Sequence, residues 1–93
     1  MKTLNDITFG LTVTTTYNGT SGKITAKMKH GDSLVTKASV HYDHALSSNE
    51  NHFQAAIACL NKIAHEHDKH FEVIAYSYSE KETGYNFICQ RQF

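Results

Sequence analysis

The sequence predicts an α+β domain in which one helix packs on one face of a five-stranded, mainly antiparallel sheet. Several segments alternate large and polar residues with the period of a β-strand, and one segment repeats apolar residues with the period of a helix. The chain has 93 residues and no proline, and no linker or repeat divides it, so we expect a single compact domain over 1–93.

The clearest strand is the first, over 7–17, where large and mostly apolar residues alternate with threonines and one glycine. It runs into Asn18-Gly19, which is a strong hairpin signal. The same alternation predicts strands over 23–30 and 33–42, with turns too short for anything but antiparallel pairing. The first half of the chain is therefore predicted to be a three-stranded meander.

The helix is predicted over 48–66. Ser47 and Glu50 have the spacing of a capping box, and the residues that follow place apolar side chains at i, i+3, i+4 and i+7. Strands over 71–79 and 85–92 complete the βββαββ order, for which we predict the sheet order 3-2-1-4-5 with a right-handed crossover. The predicted core consists of Phe9, Leu11, Val13, Ile24, Val40, Phe53, Ile57, Leu60 and Phe87.

From Thr15 to Ser79 the order of elements resembles, in topology, the first half of ribonuclease-H-like domains. The resemblance lies in three antiparallel strands, a helix with the sequence NENHFQAAI and a fourth strand, EVIA, parallel to the first. Such enzymes hold two metal ions with carboxylates. The positions that correspond here are Tyr17, His52 and Tyr78, so the resemblance implies a degenerate domain without that metal site.

Charge and cysteine usage restrict the function classes. Nine basic and nine acidic residues cancel, which weakens the electrostatic case for nucleic-acid binding. Cys59 and Cys89 lack the spacing of a metal or redox motif, and we expect both to be small buried residues. No apolar stretch suits a signal peptide or a membrane span, so we expect a cytoplasmic protein.

Seven histidines raise the question of a metal site. His41 and His44 precede the predicted helix, whereas His65, His67 and His70 close it. The rise of a helix separates the two groups by about 25 Å. We therefore expect no metal and no cofactor, and the sequence contains no nucleophile motif or phosphate-binding loop that would indicate an enzyme.

The candidate functional surface is the sheet face that the helix leaves open. Aromatic and lysine side chains on one sheet are typical of protein interfaces, and also of single-stranded nucleic-acid platforms. The partner-binding candidates on this face are Lys23, Lys27, Lys29, Ile74, Tyr76 and Tyr78.

The leading hypothesis is a non-catalytic protein-binding module that uses this face or the fifth strand as an exposed edge. A small neutral chain without catalytic residues is also typical of phage- or mobile-element-encoded inhibitors of host defence, such as anti-CRISPR proteins. The partner would then be a nuclease or a defence complex, bound by a monomer or a homodimer. The alternatives are a single-stranded nucleic-acid-binding domain and the degenerate ribonuclease-H-like domain.

Overall fold

The computed structural model describes residues 10–30, 33–79 and 84–92. The elements follow one another as predicted, three strands, a helix and two strands, in a single antiparallel sheet. Over these residues the α+β class, the five strands and the one helix are confirmed. The elements are β1 (Gly10–Asn18), β2 (Lys23–His30), β3 (Ser33–His41), α1 (Ser48–His67), β4 (His70–Tyr78) and β5 (Tyr85–Gln92).

The strand order is β3-β2-β1-β5-β4, so the last two strands exchange places relative to the predicted order. β5 pairs with β1 in antiparallel fashion, and β4 occupies the edge. The predicted parallel pair of first and fourth strands is therefore wrong, and with it the likeness to ribonuclease-H-like topology. The fifth strand, which we expected at an edge, lies inside the sheet.

The turn between β1 and β2 differs in detail from a two-residue Asn-Gly hairpin. Asn18 pairs with Lys23, and the side-chain Oδ1 of Asn18 accepts the backbone N–H groups of Thr20 and Ser21. The left-handed position is Gly22, with φ at 68°. The turn thus contains the predicted Asn18 and Gly19, but the glycine that adopts positive φ is Gly22.

The core lies between the sheet and α1. Four of the predicted core residues are fully buried there, while Leu11, Val40, Phe53 and Ile57 pack against it partly buried and Phe9 lies outside the described residues. The buried hydrophobic residues are Val13, Ile24, Ala26, Met28, Ala55, Ala56, Cys59, Leu60, Ile63, Phe87 and Cys89. Burial raises the pKa of both thiols to about 11, as expected for cysteines that act as small hydrophobic residues.

Asn51 fixes the start of α1 against the loop that follows β3. Its Nδ2 donates to the carbonyl groups of Asp43, Leu46 and Ser47 at 2.9, 3.3 and 2.9 Å, and its Oδ1 accepts the Asp43 N–H at 2.7 Å. Ser47 caps the helix as predicted, since its Oγ accepts the Glu50 N–H at 3.4 Å. These contacts determine where the first turn of α1 lies over the sheet.

Candidate functional site

The helix covers only part of one sheet face. α1 packs mainly over β3 and β2, with fewer contacts to β4 and β5. As a result Ala26 of β2 and Thr36 of β3 are buried on this face, whereas Tyr76 and Tyr78 at the end of β4 are 56% and 74% exposed. The uncovered end of β4 and β5 is the most prominent aromatic region of the described surface.

A β-bulge in β4 determines which face the two tyrosines occupy. Val73 pairs with Cys89, but the register shifts before Ala75, which pairs with Ile88. Directly paired residues share a face, and a shift of one residue moves every later side chain to the other face. Tyr76 and Tyr78 therefore pair with Phe87 and Tyr85 on the helix side, and not on the open face where the alternation predicts them.

We call the exposed Tyr76 and Tyr78, with the half-buried Tyr85 beside them, the aromatic surface, and the buried Phe87 of the core stacks against Tyr76. The rings of Tyr78 and Tyr85 stack with centroids 5.2 Å apart, and those of Tyr76 and Phe87 stack at 5.8 Å. Tyr76 also contacts Tyr85 edge-on at 6.0 Å. Contacts of this kind stabilise the arrangement of the exposed rings by about 0.5–1.5 kcal/mol per pair.

The predicted lysine positions lie on the opposite, open face. Lys23, Lys27 and Lys29 are exposed between the buried residues of β2, and Lys27 is directly opposite Lys37 of β3. A depression of about 330 Å³ next to them is lined by Lys27, Lys29 and three threonines of β1. The sheet therefore separates these lysines from Tyr76 and Tyr78, although the alternation of the sequence predicts all of them on one face.

Ile74 belongs to the bulge itself and is 56% exposed. Its neighbour Ala75 and the paired Ile88 are exposed as well. Ile74 thus extends a small apolar patch at the β4 edge of the sheet.

A second feature, which sequence reasoning missed, is a cleft at the start of α1. Its volume is about 460 Å³. We call it the His52 cleft, after the one lining histidine that is buried in the fold. Its lining residues are Tyr17, Tyr42, His44, Ser48, His52, Gly84 and Tyr85.

His52 is held by Thr15 of β1. The Nδ1 atom of His52 lies 2.7 Å from the Thr15 Oγ1, and the ring contacts Tyr85 edge-on with centroids 4.9 Å apart. The Thr15 Oγ1 also accepts the Tyr85 backbone N–H at 3.2 Å. Burial lowers the pKa of His52 below its ordinary value of 6.5, so the imidazole is neutral at pH 7.

Gly84 allows β5 to approach β1 at this cleft. A Cβ atom at this position would overlap the Thr15 carbonyl oxygen, so only glycine fits without a backbone shift. The cleft thus depends on a threonine, a histidine and a glycine from three distant segments. Because they form no local motif, the sequence alone does not predict the cleft.

Of the histidines whose side chains the structure describes, His44 shares the cleft with His52, and the three near the end of α1 lie elsewhere. His44 lines the cleft at the start of α1, whereas His65 and His67 lie in its last turn and His70 begins β4. Within the described ranges, no group of three or more His, Cys, Asp or Glu side chains is arranged to hold a metal ion.

Comparison with known proteins adds no relative. The chain has no significant match to a family model, to a curated protein sequence or to a solved structure. In the part of the chain that the structure describes, no helix combines the length and apolarity needed to cross a membrane.

Proposed function

We propose that this protein is a non-catalytic protein-binding module that holds its partner with the aromatic surface and the β4 edge. The observation that carries the proposal is the exposure of Tyr76 and Tyr78, whose rings stack on Phe87 and Tyr85. Tyrosine offers a large contact area at a small cost in side-chain entropy, and binding energy concentrates on such aromatic anchors.

The backbone of β4 supports the same choice of surface. β4 is an edge strand, and an extended segment of a partner can add to such an edge through main-chain hydrogen bonds. At the opposite edge, Lys62 of α1 donates to the Lys37 carbonyl of β3 at 3.0 Å, so a side chain already covers part of that edge. Ile74 adds an apolar contact beside this edge.

The biological role we propose is inhibition, in which this protein blocks a larger protein by binding to its surface. A small chain with a preformed aromatic surface can block a larger protein without chemistry of its own, as a phage- or mobile-element-encoded inhibitor does in the cytoplasm of its host. The partner class in this proposal is a nuclease or another component of a defence complex, as for anti-CRISPR proteins.

The decisive experiment measures affinity for a purified partner, recovered first from host extract by affinity capture and mass spectrometry. Tyr76→Ala and Tyr78→Ala are each expected to weaken binding by about 2 kcal/mol, with weak salt dependence, because desolvated anchors dominate such interfaces. Lys27→Gln is the matched control on the open face and should bind as wild type. Equal affinity of both tyrosine variants and wild type would contradict the proposal.

A second candidate function, single-stranded nucleic-acid binding, is favoured by the exposed lysines of β2 beside Lys37 on the open face. Oligonucleotides titrated at low salt distinguish the two candidates. We expect no micromolar binding. Micromolar affinity that is lost when Lys23, Lys27 and Lys29 are changed to glutamine, with a salt slope that falls by about one per lost phosphate contact, would establish the nucleic-acid function instead.

A further inference from the structure

We propose that the protein partner places an arginine side chain in a groove between the start of α1 and β4. This inference rests on the proposed function, because it names the chemistry of the partner that the aromatic surface would hold. It is carried by an exposed carboxylate, an apolar floor and an aromatic wall, which meet in a groove of the size of one side chain.

The groove adjoins the aromatic surface. Its volume is about 220 Å³, which is below the roughly 300–1,000 Å³ of a small-molecule site and suits a single side chain. Tyr76 belongs both to the groove and to the aromatic surface, so a partner that covers the exposed tyrosines also lies over the groove. The lining residues are Asn49, Glu50, Phe53, Val73, Tyr76 and Phe87.

Glu50 determines the charge that the groove accepts. It is the one lining residue that carries a charge, and it is exposed. The Glu50 backbone N–H donates to the side-chain oxygens of Ser47 and Asn49, and these hydrogen bonds do not use the carboxylate. The carboxylate at the groove therefore favours a cationic group of the partner.

The rest of the groove suits the other parts of an arginine side chain. The rings of Phe53 and Phe87 contact each other with centroids 6.0 Å apart, and the half-buried Val73 lines the same groove. Such an apolar floor packs against the methylene groups of an arginine. Tyr76, which is 56% exposed, provides an aromatic wall for the guanidinium group through a cation–π contact.

Arginine fits this combination better than other side chains do. An apolar side chain would remove water from the Glu50 carboxylate without replacing its hydrogen bonds. The ammonium group of lysine is compact and strongly hydrated, whereas the planar guanidinium donates two hydrogen bonds to one carboxylate and stacks on a tyrosine ring. Arginine is also enriched in protein interfaces, as tyrosine is.

The test is a titration of the full chain with N-acetyl-arginine-N-methylamide, followed by two-dimensional NMR at constant ionic strength. The matched probes are the citrulline derivative, in which a neutral urea replaces the guanidinium at nearly the same shape, and the leucine derivative. We expect saturable shifts of the Glu50, Phe53 and Tyr76 amides, with a dissociation constant for the arginine probe on the order of 10 mM or lower. The two neutral probes should bind about tenfold more weakly.

Glu50→Gln is the decisive variant, because it removes the charge and keeps the shape of the side chain. We expect about a tenfold loss of affinity for the arginine probe and an unchanged affinity for the citrulline probe, a difference that a general loss of structure would not produce. Glu66→Gln, at an exposed carboxylate near the other end of α1, is the matched control and should bind as wild type. Tyr76→Leu removes the aromatic wall and should weaken the arginine probe about threefold.

Four results would each overturn the inference: wild-type affinity of Glu50→Gln for the arginine probe, equal affinity for arginine and citrulline, a preference for leucine, or the absence of saturable shifts. Because the probes need no partner, these results leave the proposed function standing. With the purified partner, a loss of affinity in Tyr78→Ala but none in Glu50→Gln would likewise overturn this inference alone.

Discussion

The helix-facing side of the sheet has two regions whose sequences alternate in the same way but whose side chains differ in burial. Over β2 and β3, alternating residues such as Ile24 and Ala26 are completely buried under α1. At the end of β4, alternating residues of larger size, Tyr76 and Tyr78, stay exposed. Residues on one face of a sheet therefore differ in burial, because the position of the helix decides which part of that face becomes core and which part stays surface.

The reason is one of dimensions. A helix with its side chains is about 10 Å wide, and five strands about 4.8 Å apart make a sheet roughly twice as wide. One helix can bury only part of such a sheet. The remainder of that face stays exposed, so substitutions in the covered region should cost more stability than substitutions outside it.

The covered region should carry the stability. Leu60→Ala is expected to lower the free energy of unfolding by about 2–5 kcal/mol, because Leu60 is buried and its loss leaves a cavity under the helix. Chemical denaturation measures the change. A loss below about 1 kcal/mol would be too small for a cavity and would show that α1 does not pack as described.

The placement of the helix should depend on Asn51. Asn51→Ala is expected to cost about 2–3 kcal/mol, since the Asp43 N–H and the Leu46 carbonyl each lose a hydrogen-bond partner. The exposed Gln54→Ala on the same helix is the control and should be close to neutral in the same denaturation experiment. Equal stability of the two variants would contradict the anchoring role.

The burial of His52 in its cleft should make the free energy of unfolding depend on pH. The folded-state pKa of His52 lies below the unfolded value, so the unfolded chain binds more protons as the pH falls through 6.5. The contribution of neutral His52 is present above pH 6.5 and is lost as the pH falls through the folded-state pKa. The free energy of unfolding should therefore be lower at about pH 5 than at about pH 7.5.

Two histidine variants identify the group responsible. His52→Gln should flatten this pH dependence, whereas His44→Gln, a change in the same cleft at an exposed residue, should leave it as in wild type. A pH dependence that persists unchanged in His52→Gln would assign it to another group.

The uncovered region should contribute least to stability. Tyr78→Ala is expected to lower the free energy of unfolding by about 0.5–1.5 kcal/mol, because the variant loses the stacking contact with Tyr85 but little buried area. Thermal or chemical denaturation of this variant beside Leu60→Ala compares the two regions directly. A loss of several kcal/mol in Tyr78→Ala would mean that the aromatic surface is part of the core.

Local patterns were sufficient to predict the elements themselves. The bounds of β2 and β5 agree with the predicted ranges, and α1 ends one residue later than predicted. Residues 7–9 of the first predicted strand lie outside the described residues. The helix cap at Ser47 was also predictable, because capping depends on residues a few positions apart.

The exchange of β4 and β5 was not predictable from these patterns. Either strand of that hairpin could pair with β1, and alternation is the same in both cases. The bulge at Ile74 has no glycine to signal it, yet it moves Tyr76 and Tyr78 to the other face. For the candidate site, the exposure of the lysines and tyrosines was therefore predicted correctly, and so was the open face for Lys23, Lys27 and Lys29, but not the face of Tyr76 and Tyr78.

The contact of Thr15 with His52 and Tyr85 has a consequence for how the chain folds. These partners lie 37 and 70 residues from Thr15 in sequence. The meander of β1, β2 and β3 closes only short loops, whereas the pairing of β1 with β5 requires the ends of a long chain to meet, which is slow. The His52 cleft needs Tyr85 and Gly84 beside β1, so a chain that has formed only the meander has a partial sheet and no cleft.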